Sequence, residues 1–96
     1  MILEIACVEI PPESHDAFRA SITRAVDEVL TSSPGFSDFA LHQGIERPNA
    51  YQLHIRWATL EDHIIGFRES ERFAAWRGII GGFFVAPPVV EHWSSD

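Results

Sequence analysis

Lysine is absent from this 96-residue chain, and its seven basic residues are all arginine, set against fourteen acids for a formal net charge of −7. Phosphate binding needs a basic stripe that such a chain lacks, which argues against nucleic acid as a partner and disfavours an anionic membrane surface. Cysteine occurs once, at Cys7, so no intramolecular disulfide framework exists. Long apolar runs are missing too: none approaches the ~20 residues of a membrane span. The opening MILEIACVEIPPES lacks the positive n-region and apolar core of a signal peptide, and the expectation is a cytoplasmic protein. What is present is 46% hydrophobic and 11% aromatic, too apolar for a disordered segment. The length fits one domain over residues 1–96, with a core small enough to leave apolar surface for a partner.

Taken in order, Ile2 to Ile10 reads as a strand closed by Pro11-Pro12, apolar on both parities as suits a central strand. Ser14 is placed to cap a helix, with Asp16 in its first turn and Phe18, Ile22, Val26, Val29 and Leu30 at helical spacing. After the Pro34-Gly35 turn, Phe36 to Glu46 reads as a second strand, with Phe39, Leu41 and Ile45 on one parity and Phe36, Ala40 and His42 on the other. Tyr51 to Trp57 alternates cleanly: Tyr51, Leu53, Ile55 and Trp57 face one way, Gln52, His54 and Arg56 the other. Thr59 and Asp62 form an approximate capping box for a helix carrying Leu60, Ile64 and Phe67. Gly66 and Ser70 interrupt it, and Ser70 can cap a second segment with Phe73, Trp76, Arg77 and Ile80, stopped at Gly81-Gly82. Val89 to Trp93 is the last strand. The order β-α-β-β-α-β is the ferredoxin-like α+β plan, an antiparallel sheet with helices on one face. The uncovered face, apolar from the first strand and aromatic from the second, calls for a second copy of the chain.

The stretch Tyr51–Arg77 concentrates the chemically able side chains: two of three tryptophans, two of five histidines and four of seven arginines. Arg77 lies on the apolar stripe of its helix, either as a snorkelling side chain or as a buried cation, with Glu61, Glu69 or Glu91 as a salt-bridge partner in the plainer case. His63 stands at the edge of a similar stripe, as a packed core residue or as an acid–base group. Trp57 reads as core, or as a pocket wall. His42 and His54 approach across a strand pair, but no metal-ligand spacing such as H-E-x-x-H is present, and the metal expectation is none. Neither G-x-S-x-G nor a Gly-rich phosphate loop occurs, and Cys7 has no nucleophile context.

The strand ending in Trp57, then ATLEDH, GFRESERFAAWR and PPVVEHW, together with the PGF turn at Pro34-Gly35-Phe36, resembles the antibiotic biosynthesis monooxygenase domain family over nearly the whole chain. That resemblance implies a dimeric α+β barrel with a pocket between helices and sheet in each subunit. Some members oxidise phenolic polyketides or quinols with molecular oxygen and no metal, flavin or haem. In the best understood cofactor-free type, a tryptophan ending the third strand and an arginine on the following helix line the pocket, positions that Trp57 and Arg77 match. That type has a tyrosine where His63 stands and an asparagine where Leu53 stands. A haem-degrading branch would need its iron ligand at Arg77 and its porphyrin-packing tryptophan at Phe67; neither residue fits.

The resulting expectation is a homodimeric, cofactor-independent monooxygenase acting on an aromatic, phenolic or quinol small molecule. His63 would be the base, Arg77 its electrostatic partner and Trp57 a pocket residue, with Leu53, Phe67, Phe73 and Trp76 against the substrate. The alternative is a non-catalytic ligand-binding or accessory protein of the same fold.

Overall fold

A computed structural model describes residues 1–95. Along them run β1 (Ile2–Glu9), α1 (His15–Glu28), β2 (Phe36–Gln43), β3 (Ala50–Trp57), α2 (Glu71–Ile80) and β4 (Val89–Ser94). Neighbouring strands are all antiparallel, in the order β2-β3-β1-β4. Both helices pack on one sheet face, which is the ferredoxin-like arrangement that the element order implies.

Strand alternation decides which side chains reach the helices. Glu4, Ala6, Val8 and Ile10 are buried from β1 and its end, and Tyr51, Leu53, Ile55 and Trp57 from β3. Against them α1 sets Phe18, Ile22 and Ala25, followed by Val29 and Leu30, while α2 sets Trp76 and Ile80. Each large side chain withdrawn from water in this way contributes about 1.5–3 kcal/mol. The strand β2 ends at Gln43 rather than Glu46, because the turn to β3 begins at Gly44 and leaves Ile45 exposed, and it departs from its simple alternation. Its register slips between Phe36 and Asp38, so that Phe36 pairs with Trp57 and Phe39 with Ile55. The extra residue, Ser37, puts both phenylalanines on the helix side, where they pack against the core. The open face accordingly draws its apolar content from Leu3, Ile5 and Cys7 of β1 with Val89 and Trp93 of β4, and none from β2 phenylalanines. Leu3 pairs with Trp93 and Cys7 with Val89, so these groups lie side by side.

Two helix starts differ from the capping expectation. A 3-10 turn, Pro12–Ser14, precedes α1, and Ser14 makes no side-chain cap. Ser70 likewise leaves the start of α2 uncapped, because its hydroxyl donates back to the Phe67 carbonyl at 2.6 Å. Between β3 and α2 the chain forms a π-helical turn, Asp62–Phe67, rather than an α-helix interrupted at Gly66. Its signature is the i→i+5 bond from Arg68 N to His63 O at 2.9 Å. The Thr59–Asp62 capping box does form, with both reciprocal bonds at 3.2 Å. Gly35 is packed against it: its φ is +83°, and a Cβ there would fall inside the Asp62 carboxyl group. The Gly35 carbonyl also accepts from Ala58 N at 2.8 Å. The glycine turn thus fixes the start of the π turn one residue before His63.

Candidate functional site

A cleft of about 970 Å³ opens between the sheet and α2. Ala6, Val8, Leu53 and Ile55 form its floor, Phe67, Phe73 and Trp76 its wall, and the link Phe84–Pro88 its far side. That link is tied to the sheet by a bond from Val85 N to Glu9 O at 3.0 Å. The polar lining is small: Glu4, His63, Arg68 and Arg77. An apolar chamber with a few convergent polar groups is the usual form of a small-molecule site.

The sheet and the π turn together build the polar end. Trp57, the last residue of β3, is fully buried and donates from Nε1 to Glu4 Oε1 at 2.9 Å. The same oxygen lies 3.2 Å from His63 Nε2. His63 stacks on Trp57, with ring centroids 5.3 Å apart and planes 18° from parallel. Its Nδ1 is 2.7 Å from His92 Nε2 on β4. Phe67, one helical step on, packs against both Trp57 and His63. The π turn therefore delivers two rings, His63 and Phe67, into one stack with the end of β3.

Burial governs the protonation of this cluster. It lifts the Glu4 carboxyl from an ordinary 4.5 to about 7, against the opposing pull of the Trp57 hydrogen bond and the Arg68 charge. It lowers His63 to about 4, with positive charge on His92 and Arg68 pushing the same way. His92 is lowered for the same reasons, burial first and then Arg68. The nearby carboxyl does not rescue the His63 imidazolium, because Glu4 is already protonated at the pH where His63 takes up its proton. Near neutrality the cluster thus holds an uncharged imidazole beside a carboxyl group poised between its two states, a pairing suited to moving a proton.

Leu53, His63, Phe67, Phe73, Trp76 and Arg77 line the one cleft. Trp57 is not among the lining residues; it stands behind His63 and reaches the cleft through its bond to Glu4. Arg77 is exposed rather than buried, its guanidinium lying over the Phe73 ring at 5.7 Å. Among the described residues no ion pair joins it to Glu61, Glu69 or Glu91. The buried position on that helix belongs to Trp76. Three members escaped the sequence reading: Glu4, Arg68 and His92. On the open face His42 and His54 do meet, at 4.4 Å between centroids. Among the described residues no group of three or more His, Cys, Asp or Glu is placed to hold a metal ion, and no helix is long and apolar enough to cross a membrane.

The protein is a ferredoxin-like α+β domain with an apolar cleft between helices and sheet. Residues 1–78 match the family described as antibiotic biosynthesis monooxygenase. Uncharacterized protein YczJ of Bacillus subtilis is 29% identical over 93 residues, 97% of each chain. The crystal structure of a Bordetella bronchiseptica protein named for the same family is similar at a TM-score of 0.93 and 34% identity, covering 99% of this chain and 96% of that one. A Streptomyces coelicolor monooxygenase in complex with nanaomycin D shares the fold at a TM-score of 0.82 and 16% identity, covering 99% and 87%. The chain belongs to the antibiotic biosynthesis monooxygenase family.

Proposed function

We propose that the protein is a cytoplasmic, homodimeric, cofactor-independent monooxygenase that oxidises an aromatic phenol or quinol with molecular oxygen. The observation that carries this reading is the meeting of aromatic walls with the Glu4–His63 pair at one end of the cleft. In the reaction a phenol with a free ring position becomes a quinone: one oxygen atom enters the ring and the other leaves as water. All four electrons come from the ring and its hydroxyl, so no external reductant is called for. The Glu4–His63 pair, rather than His63 alone, takes the hydroxyl proton, and the electron-rich phenolate reduces oxygen. The same pair returns the proton as water departs, a two-way task that suits a carboxyl group titrating near 7. Arg77 stabilises the phenolate from the rim. Phe67, Phe73, Trp76 and Leu53 hold the ring and keep water from the radical intermediates. Trp57 acts from behind, holding Glu4.

Oxygen consumption by metal-free protein with a panel of naphthols and hydroquinones is the test. Uptake falls at least about 100-fold in Glu4→Gln and His63→Gln variants that keep the parent circular dichroism. Background uptake with every compound, or uptake indifferent to His63→Gln and Arg77→Ala, removes the proposal.

One observation favours a second reading, a ligand-binding or accessory protein. Among the described residues every buried side-chain nitrogen and oxygen already has a partner, as in a purely structural network. A small molecule carried through purification, seen by native mass spectrometry and never turned over, would favour it. Dimerisation is common to both readings. Val89 is 62% and Trp93 52% exposed on the open face beside Cys7, and pairing two such faces about a two-fold axis covers them. Sedimentation at micromolar concentration should give twice 10.8 kDa.

A further inference from the structure

We propose that the cleft selects an aromatic ligand that carries a carboxylate in addition to its reacting hydroxyl, and that Arg68 is the residue that reads the carboxylate. This deepens the oxygenase reading, because it assumes the same cleft as the substrate site. The chain bears −7 overall, yet the cleft inverts that sign. Its charged lining is Arg68, Arg77 and Glu4, and Glu4 is the one acid, buried and uncharged for much of the time near neutral pH. Of the five arginines outside the cleft, three meet carboxylates: Arg24 pairs with Glu28, Arg47 with Glu9 and Arg56 with Asp38, while Arg19 bonds Gln43 and Arg72 has no ion pair among the described residues. Among the described residues neither Arg68 nor Arg77 has an ion-pair partner, although acids outnumber bases two to one.

The two cations are not equivalent. Arg77 lies over Phe73, on the outer part of the aromatic wall. Arg68 follows the π turn directly, and its charge is felt at Glu4, His63 and His92 alike. A guanidinium in that position offers a planar fork to a carboxylate. It also forms a positive mouth on an acidic protein, which concentrates anionic ligands in the cleft. A hydroxyl at the Glu4–His63 end and a carboxylate at Arg68 would fix both the ring and its orientation.

The experiment measures binding without turnover, by calorimetry under argon, for 6-hydroxy-2-naphthoate and its methyl ester. The acid should bind parent protein about tenfold more tightly than the ester, the worth of one charge-assisted pair. In Arg68→Gln the ratio should fall to about one, with ester binding unchanged; Arg68→Lys should keep part of the preference. Added salt should weaken the acid and spare the ester. Equal binding of acid and ester by the parent, a preference untouched by Arg68→Gln, or no binding of either compound would overturn the assignment. Acid preference without oxygen uptake in air would remove the oxygenase reading and leave Arg68 its role. Uptake with plain naphthols and no acid preference would do the reverse.

Discussion

β3 presents a large aromatic side chain to the helices at each end, and each is tied to a histidine in a different way. At the Tyr51 end, His15 Nδ1 lies 2.6 Å from the tyrosine hydroxyl and Nε2 lies 2.9 Å from Asn49 Oδ1. The partners are a hydroxyl and an amide oxygen, the ring is half-buried, and the arrangement clasps the start of α1 to the approach to β3. At the Trp57 end, His63 is only 2% exposed and meets a carboxyl group on one side and a second imidazole on the other. Same ring, same strand, different burial and partners: the first set ties elements together, while the second places titrating groups on a cleft. Histidine in a core therefore becomes chemically interesting only when burial is joined to another ionisable group.

The ends also differ in what holds them, and the largest predicted effect tests that difference. The Trp57 end depends on Gly35, whose positive φ and contact with Asp62 leave no room for a side chain. Gly35→Ala should cost at least about 3 kcal/mol in urea unfolding, from backbone strain plus the displaced capping box. Chemical shifts of His63 should move while those of His15 stay near their parent values. Equal disturbance at both ends would show that the glycine turn supports the whole sheet.

Next in size is the pH dependence expected of the Trp57 end. Glu4 is raised from 4.5 to about 7 and His63 lowered from 6.5 to about 4. A raised carboxyl costs stability as pH climbs from 4.5 to 7, since the unfolded chain ionises first. A lowered imidazole costs stability as pH falls from 6.5 to 4, since the unfolded chain is protonated first. Between about 4.5 and 6.5 the two slopes cancel, because folding merely neutralises both groups and binds no net proton. Each single variant should expose the other half. His63→Gln should lose, relative to the parent, up to about 3 kcal/mol as pH rises from 4.5 to 7. Glu4→Gln should tilt the opposite way, weakening as pH falls below 6.5. Urea midpoints across pH 4 to 8 measure both, and parallel profiles for all three proteins would dissolve the pairing.

Much of the fold was legible because its cues are local. Periods of two along Tyr51–Trp57 and three to four along Phe18–Leu30 select strand and helix without reference to the rest of the chain. The bulge at Ser37 was not legible, since nothing in Phe36-Ser37-Asp38-Phe39 marks an extra residue; the pairing of Phe36 with Trp57 imposes it. Of the cleft-lining residues on Tyr51–Arg77, Leu53, His63, Phe67, Phe73, Trp76 and Arg77 were singled out by residue type or resemblance, and Arg68 was not. Glu4 was missed although a signal existed, a lone carboxyl on the parity of Ile2, Ala6, Val8 and Ile10. His92 had no such signal. It joins the site because β4 returns beside β1 with Glu4 and His92 in register, a pairing between residues 88 positions apart that no window of sequence contains. For Arg77 the sequence left snorkelling and burial both open; Trp76, larger and apolar, takes the inward direction on that turn of α2 and leaves the arginine exposed.

The smallest effect is the one that decides whether the two ends are independent. Tyr51→Phe removes only the hydroxyl that meets His15, and should cost about 1 kcal/mol, the typical worth of one hydrogen bond. His15 keeps Asn49 on Nε2, while its half-buried Nδ1 loses the hydroxyl it met. Tyr51 and Trp57 stand six positions apart on the strand, about 20 Å at the rise of an extended chain, beyond the range at which substitutions usually couple. The double variant Tyr51→Phe, His63→Gln should therefore lose the sum of the single losses at every pH, with its pH profile parallel to that of His63→Gln alone. A coupling larger than about 0.5 kcal/mol, or a change in slope on adding Tyr51→Phe, would mean that β3 transmits strain between its ends. The Tyr51 clasp would then be part of what sets the protonation of Glu4.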